Sequence, residues 1–161
     1  MDAKELSREL RCDSSEDLRR RRRIIGLSML ASASMAVITL YQTGIIKHLP
    51  EPPLPFLDAD RVDASDEAYE KFNTPDAALG LASFAVTIVL AAMGGKKRAP
   101  WIGAALAGKI AFDALNALKL TIDQPVRHRA FCFWCLIAAT ATFASVPLVV
   151  PEARQALRGL R

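Results

Sequence analysis

The chain has 161 residues, 52% of them hydrophobic and 24% charged, with a formal net charge of +4. That length allows one domain, and a positive mean hydropathy of +0.19 beside so many charges is unusual for a soluble one. Three cysteines exclude a disulfide-rich secreted scaffold, and no motif for nucleic acid accompanies the basic balance, so nucleic acid is not an expected partner.

Residues 1–23 are charged and end in Arg19, Arg20, Arg21, Arg22 and Arg23. They read as a basic cytoplasmic tail, amphipathic or partly disordered, in which Cys12 is a spectator thiol. Asp13-Ser14-Ser15-Glu16 has the pattern of a helix start. Ile24 to Ile46 then carries no charge and is long enough to span about 30 Å of hydrocarbon at about 1.5 Å per residue. Its small residues, among them Ser28, Ala31, Ser34 and Ala36, suit close helix packing. A cleaved signal peptide is the competing reading, because Ala31-Ser32-Ala33 resembles a cleavage site. The apolar run continues well past it, which favours an uncleaved span.

Residues 47–76 form a proline-rich joint with three Lys or Arg and eight acidic residues. The prolines at 50, 52, 53 and 55 forbid a regular helix at its start. Phe56, Leu57, Val62, Tyr69 and Phe72 are apolar enough to pack back onto a bundle, which predicts a structured outer cap with one short helix near residues 64–72. Thr74-Pro75-Asp76 then has the form of a helix N-terminus, with Thr as cap, Pro in the first turn and Asp on the positive end of the dipole. Further spans are expected at about 77–93, 101–121 and 130–150. The turn between the first two of these holds Gly94, Gly95, Lys96, Lys97, Arg98 and Pro100, and Pro151 opens a basic tail at 151–161.

Orientation follows from the basic residues. Eight Lys and Arg lie in the N-terminal tail, three in the 94–100 turn and three in the C-terminal tail. The other side carries three in the long joint plus Arg127 and Arg129. An excess of positive charge marks the cytoplasmic side, so both termini are expected in the cytoplasm. The acidic joint and the fourth span's opening residues, Phe131-Cys132-Phe133-Trp134-Cys135-Leu136, then face the opposite compartment. For a bacterial chain that is the periplasm, where oxidised dithiols persist.

Cys132 and Cys135 form the only CxxC in the chain. Such a pair closes a disulfide or holds two coupled thiols. Zinc would need further ligands, and only His48 and His128 are present, so no metal is expected. Covalent haem attachment would need His after the second cysteine, where Leu136 stands. Two packed, inert cysteines remain the plain alternative. A dithiol at the head of a membrane bundle also fits thiol–disulfide exchange that passes electrons to a lipid-soluble quinone. Phe131 and Trp134 are candidates to pack on a quinone ring, although aromatics at a membrane interface also serve as anchors.

The order of features is a basic tail, one span, a long outer joint, Thr74-Pro75-Asp76-Ala77-Ala78-Leu79-Gly80, Gly94-Gly95 with basic residues, Pro100-Trp101 and a CxxC opening the fourth span. This order resembles the vitamin K epoxide reductase family, in a short bacterial form, over about residues 24–150. The resemblance implies an all-α, polytopic membrane four-helix bundle that encloses a quinone, ubiquinone or menaquinone, near the outer face of the inner membrane. It also implies that Cys135 is the sulfur nearer the quinone and that Cys132 exchanges with a partner disulfide. Better-known members carry a second cysteine pair in the outer loop. Residues 47–76 contain none, so a separate periplasmic thioredoxin-like protein is the expected thiol partner.

The third span adds Lys109, Asp113 and Asn116, spaced to share one helix face. Charge inside a span costs about 2.5–3.5 kcal/mol on insertion scales, so these groups are expected to face the bundle and pair. They read either as a packing clamp or as a proton path and quinone contact, with Asn116 the better candidate for a quinone oxygen. Asp76 reads as a helix cap or as an aid to protonation beside the pair. Two other function classes stay open: a non-catalytic scaffold or accessory subunit with a structural cysteine pair, and a small transporter using Lys109 and Asp113, for which four spans leave little room.

Overall fold

The structure is a computed structural model that describes residues 2–96 and 98–159. Among the described residues its regular elements are all helices, and residues 43–58 are turns and loop. The elements are α1 (Ala3–Cys12), α2 (Glu16–Gln42), α3 (Ala59–Asp63), two short 3-10 turns (Asp66–Tyr69 and Lys71–Asn73), α4 (Asp76–Ala92), α5 (Pro100–Asp123), a π turn (Gln124–His128) and α6 (Phe133–Gly159). Helix α6 packs along both α2 and α5, α2 packs along α4, and α4 meets α5 over a smaller contact.

The inner stripe of α2 follows from the sequence. Leu18, Arg21, Ile24, Ser28, Ala31, Ser34, Ile38 and Gln42 are its buried residues, recurring every three or four positions as one face of an α-helix must. Opposite this stripe α6 contributes Ala138, Ala139, Ala141, Thr142 and Ser145, all buried. Such small side chains let helix backbones approach closely. At Gly80 an added Cβ would lie 2.9 Å from the Met35 sulfur, so α4 and α2 approach closely there and a side chain at 80 would require Met35 to shift.

Large apolar side chains, by contrast, point outward from every long helix: Met29 and Leu30, Val86 and Val89, Phe112 and Leu115, Phe143. Helices α2 and α6 are long and apolar enough to cross a bilayer, and only 28% and 33% of their most apolar windows are buried. A core helix of a water-soluble domain would bury most of that surface. Helix α4 is apolar but has 17 residues.

Several expected boundaries shift for identifiable reasons. The tail at 1–23 is helical over most of its length, because α2 begins at Glu16 and runs through the arginine series. Arg21 is buried at 3% exposure. Its guanidinium donates to the carbonyls of Met93, Gly94 and Gly95 at 3.4, 3.2 and 3.1 Å. Arg98 donates to Leu90 O at 2.7 Å. The two arginines thus satisfy carbonyls that the end of α4 leaves free, beside the left-handed Gly94 at φ 73°.

Helix α6 starts at Phe133 rather than Ala130, and it continues through Pro147 and Pro151 instead of ending there. Thr74 does not cap α4; its hydroxyl donates to Phe72 O at 3.1 Å, and Pro75 precedes the first helical residue.

The outer segment is ordered by its own polar groups. Asp58 caps α3 by accepting the Arg61 N–H at 3.0 Å. The Asp60 carboxylate accepts the Leu49 N–H at 2.8 Å and pairs with His48 at 2.7 Å. The one α-helical turn of this segment lies at 59–63, and the stretch expected to be a helix at 64–72 holds two 3-10 turns instead. Val62 is buried as expected, whereas Phe56 and Phe72 are exposed at 52% and 90%. Phe72 takes a left-handed φ of 56°.

Candidate functional site

Loop, turn and helix converge on the cysteine pair. The π turn ends at Arg129, whose φ of 54° reverses the chain toward the head of α6. Phe131 then forms a two-residue bridge with the outer loop: its N–H donates to Phe56 O at 2.9 Å, and its carbonyl accepts the Asp58 N–H at 3.0 Å. Trp134 adds a second tie, donating its indole N–H to Pro50 O at 2.8 Å, and its ring meets Phe133 edge-on at 5.5 Å. Phe131 and Trp134 thus fasten the loop over the start of α6.

Beneath this cap, Cys132 is wholly buried and stands one residue before α6. Its N–H donates to the Gln124 side-chain oxygen at 2.9 Å. The Cys135 N–H donates in turn to the Cys132 sulfur at 3.2 Å. The sulfur therefore sits where a capping oxygen would, at the positive end of the α6 dipole. Both thiols are free.

The third member of the group is Asp63, the last residue of α3, 4% exposed. The Cys135 thiol lies 3.6 Å from Asp63 Oδ1, and one carboxylate oxygen and both sulfurs lie within 4.8 Å of one another. Asp63 Oδ2 is buried with no hydrogen-bond partner among the described residues. Burial raises the Asp63 carboxyl to about 7; the nearby Asp76 charge pushes the same way, and hydrogen bonds from the two thiols partly offset both. A carboxyl of that kind changes protonation near neutrality, directly beside a thiol.

Gln42, buried near the end of α2, ties this group to the helices. Its amide nitrogen donates to Asp63 O at 3.2 Å and to the Asp76 carboxylate at 2.8 Å, and its oxygen accepts the Ala77 N–H at 3.3 Å. Asp76 thus belongs to the surroundings of the pair through Gln42.

Lys109, Asp113 and Asn116 do not join the cysteine group. Lys109 pairs with Asp113, and the two bond across to Ser83 and Thr87 of α4. Asn116 donates to Phe112 O in its own helix at 2.9 Å. Beside Asp113 a cavity of about 10 Å³ is lined by Ser28, Thr87, Thr142 and Ser145, roughly the space one water needs. The Lys109 and Asp113 side chains are 17% and 11% exposed. Breaking a buried pair strands one charge, at a cost of about 3–5 kcal/mol. Asp113→Leu is therefore expected to lower the unfolding temperature in detergent sharply, while Lys109→Met combined with Asp113→Leu recovers most of the loss.

Three residues of the site went unrecognised in the sequence. Asp63 is one of eight acidic residues in its joint, and nothing in the spacing singles it out. Gln124 carries no signal beyond ordinary joint composition. Gln42 did carry a signal, as a polar amide within an uncharged apolar run. The donor atoms of Asp63, Cys132 and Cys135 lie close enough together that they could hold one metal ion.

The sequence model of the vitamin K epoxide reductase family matches residues 22–150. No curated protein and no solved structure matches the chain.

Proposed function

The chain belongs to the vitamin K epoxide reductase family, and on that premise we propose that it is a four-span membrane oxidoreductase coupling the Cys132–Cys135 pair to quinone reduction. The family's members are membrane helical bundles with thiol oxidoreductase activity, and they use quinones generally. One observation carries the finer reading: a free CxxC pair at a helix start, with a buried carboxyl 3.6 Å from one of its thiols.

In this reading Cys135 faces the quinone and Cys132 exchanges with a separate thioredoxin-like protein. Oxidising the two thiols to a disulfide releases two electrons and two protons. A bound quinone takes up both to become the quinol. The partner's dithiol then reduces the Cys132–Cys135 disulfide and is itself left oxidised. Asp63 receives the Cys135 proton as the sulfur–sulfur bond forms. Half-buried Cys135 packs against the outer core cluster, as do Met35, Tyr41 and Trp134, and an apolar region of this kind suits a quinone ring.

Cys132 is wholly buried, so exchange there requires the loop segment bonded to Phe131 to lift. The Lys109–Asp113 pair serves as a clamp between α4 and α5, because its contacts outside α5 go to Ser83 and Thr87. A position for the pair at the periplasmic face of the inner membrane, with both termini cytoplasmic, rests on the distribution of Lys and Arg.

Dithiothreitol-driven reduction of a short-chain ubiquinone or menaquinone by the protein in vesicles tests the proposal. Turnover above that of protein-free vesicles is expected. A rate equal to theirs, with both thiols permanently reduced and unreactive to alkylation in the folded protein, would favour an accessory subunit with structural cysteines.

A further inference from the structure

A second polar pocket lies at the opposite end of the bundle, between the start of α2, the turn at 93–99, the start of α5 and the far part of α6. Its volume is about 200 Å³, and its lining includes Arg21, Lys96, Arg98, Gly103, Glu152 and Gln155. Two of its cations are deeply buried: Arg21 is 3% exposed, and the Arg98 side chain is 5% exposed.

The lining carries three cations, Arg21, Lys96 and Arg98, and two carboxylates, Asp17 and Glu152, with the Glu9 carboxylate nearby on the Lys96 N–H at 2.7 Å. Lys96 pairs with Asp13, and Arg98 pairs with Glu152. Asp17, which also lines the pocket, is held by Arg20 at 3.1 Å. Arg21 has no carboxylate partner among the described residues; its terminal nitrogens reach only backbone carbonyls. The Nε atoms of Arg21 and Arg98 are buried without a hydrogen-bond partner, and Arg98 Nη2 touches Glu152 outside hydrogen-bonding geometry. The start of α5 borders the same space with no side-chain cap, so the positive end of a 24-residue helix adds to the field.

We propose that this pocket binds a phosphate group, carried either by an anionic phospholipid headgroup or by a free phosphate. Guanidinium groups match phosphate oxygens in geometry and charge. Basic pockets between membrane helices on the cytoplasmic side suit lipid headgroups of this class. The proposal stands apart from the redox reading of the cysteine pair.

The test uses the full chain purified in a non-ionic detergent. Native mass spectrometry after incubation with phosphatidylglycerol or phosphatidylcholine reads lipid retention, and thermal unfolding with inorganic phosphate reads the soluble source. Gln155 is exposed and makes no hydrogen bond among the described residues, so Gln155→Glu places a carboxylate at the pocket without removing a structural contact. Arg98→Gln is the second variant, and circular dichroism checks the helix content of both. Preferential retention of phosphatidylglycerol, reduced at least fivefold by Gln155→Glu, supports a headgroup site. A rise in unfolding temperature with inorganic phosphate, absent in the variants and without lipid preference, supports a soluble phosphate. Equal retention of the two lipids with no phosphate response, or retention and phosphate response in both variants equal to wild type, overturns the proposal.

Discussion

Replacing Cys135 with serine is expected to reduce dithiol-driven quinone reduction to the rate of protein-free membranes and to leave a partner protein covalently held on Cys132. The reason is the order of bond changes. In the reverse of the turnover step, the Cys132 thiolate attacks the disulfide of an oxidised partner, freeing one partner thiolate, and this chain releases the mixed disulfide only when the Cys135 sulfur attacks Cys132 and displaces the partner's second sulfur. Serine at 135 removes that resolving sulfur and keeps the Cys132 nucleophile. Cys132→Ser is expected to lose activity equally but to accumulate no adduct, since the remaining sulfur is the one assigned to the quinone side. Non-reducing electrophoresis of alkylated membranes distinguishes the two. Undiminished quinone reduction in both variants would sink the redox reading. An adduct on Cys135 in the Cys132→Ser protein, with none in the other, would reverse the assigned roles.

Asp63→Asn is expected to stabilise the protein at alkaline pH while slowing turnover. The folded carboxyl has a pKa of about 7 against an ordinary 3.8. Between those values the unfolded chain has lost the proton and the folded chain keeps it, so wild-type stability falls as pH rises from about 4 to about 7 and levels off above. At about 1.4 kcal/mol per pKa unit, the difference at pH 8 is on the order of 4 kcal/mol. Asparagine has the same shape and no proton to lose, so the variant's unfolding temperature stays flat across that window and exceeds wild type at pH 8. Its quinone reduction should also lose the rise in rate that wild type shows as pH passes about 7, where ionised Asp63 begins to accept the thiol proton. A variant that retains that inflection would show that another group takes the proton.

These two expectations rest on residues of very different legibility. Cys132 and Cys135 were readable at once, because a CxxC is a local pattern whose spacing alone limits the chemistry. The long helices were readable for a related reason: charge-free runs of Ile24–Ile46 type and basic joints are statements about one stretch of chain at a time. Pro100 opening α5 and Gly94 closing the turn after α4 follow the same logic. Asp63 was not readable. Its character comes from burial against two sulfurs some seventy positions away in sequence, and seven other acids in the same joint had equal claim. Arg21 was hidden in the same manner within a run of five arginines, and only one face of α2 decides which of them is buried. The boundaries that moved, at Pro151 and at residues 59–73, moved because packing against α5 and capping by Asp58 outweighed local preference.

By itself the sequence determined the helical class, the separation of apolar spans from basic joints, the family and the thiol pair, since each is written in contiguous residues or short spacings. Only the tertiary structure decided that Asp63 lies beside Cys135, that Gln42 and Gln124 hold the site, that Lys109 and Asp113 clamp α4 to α5 away from it, and that Arg21 and Arg98 face a shared pocket. Side-chain burial and the neighbours that set a group's charge depend on how distant segments pack, and no local pattern contains that information.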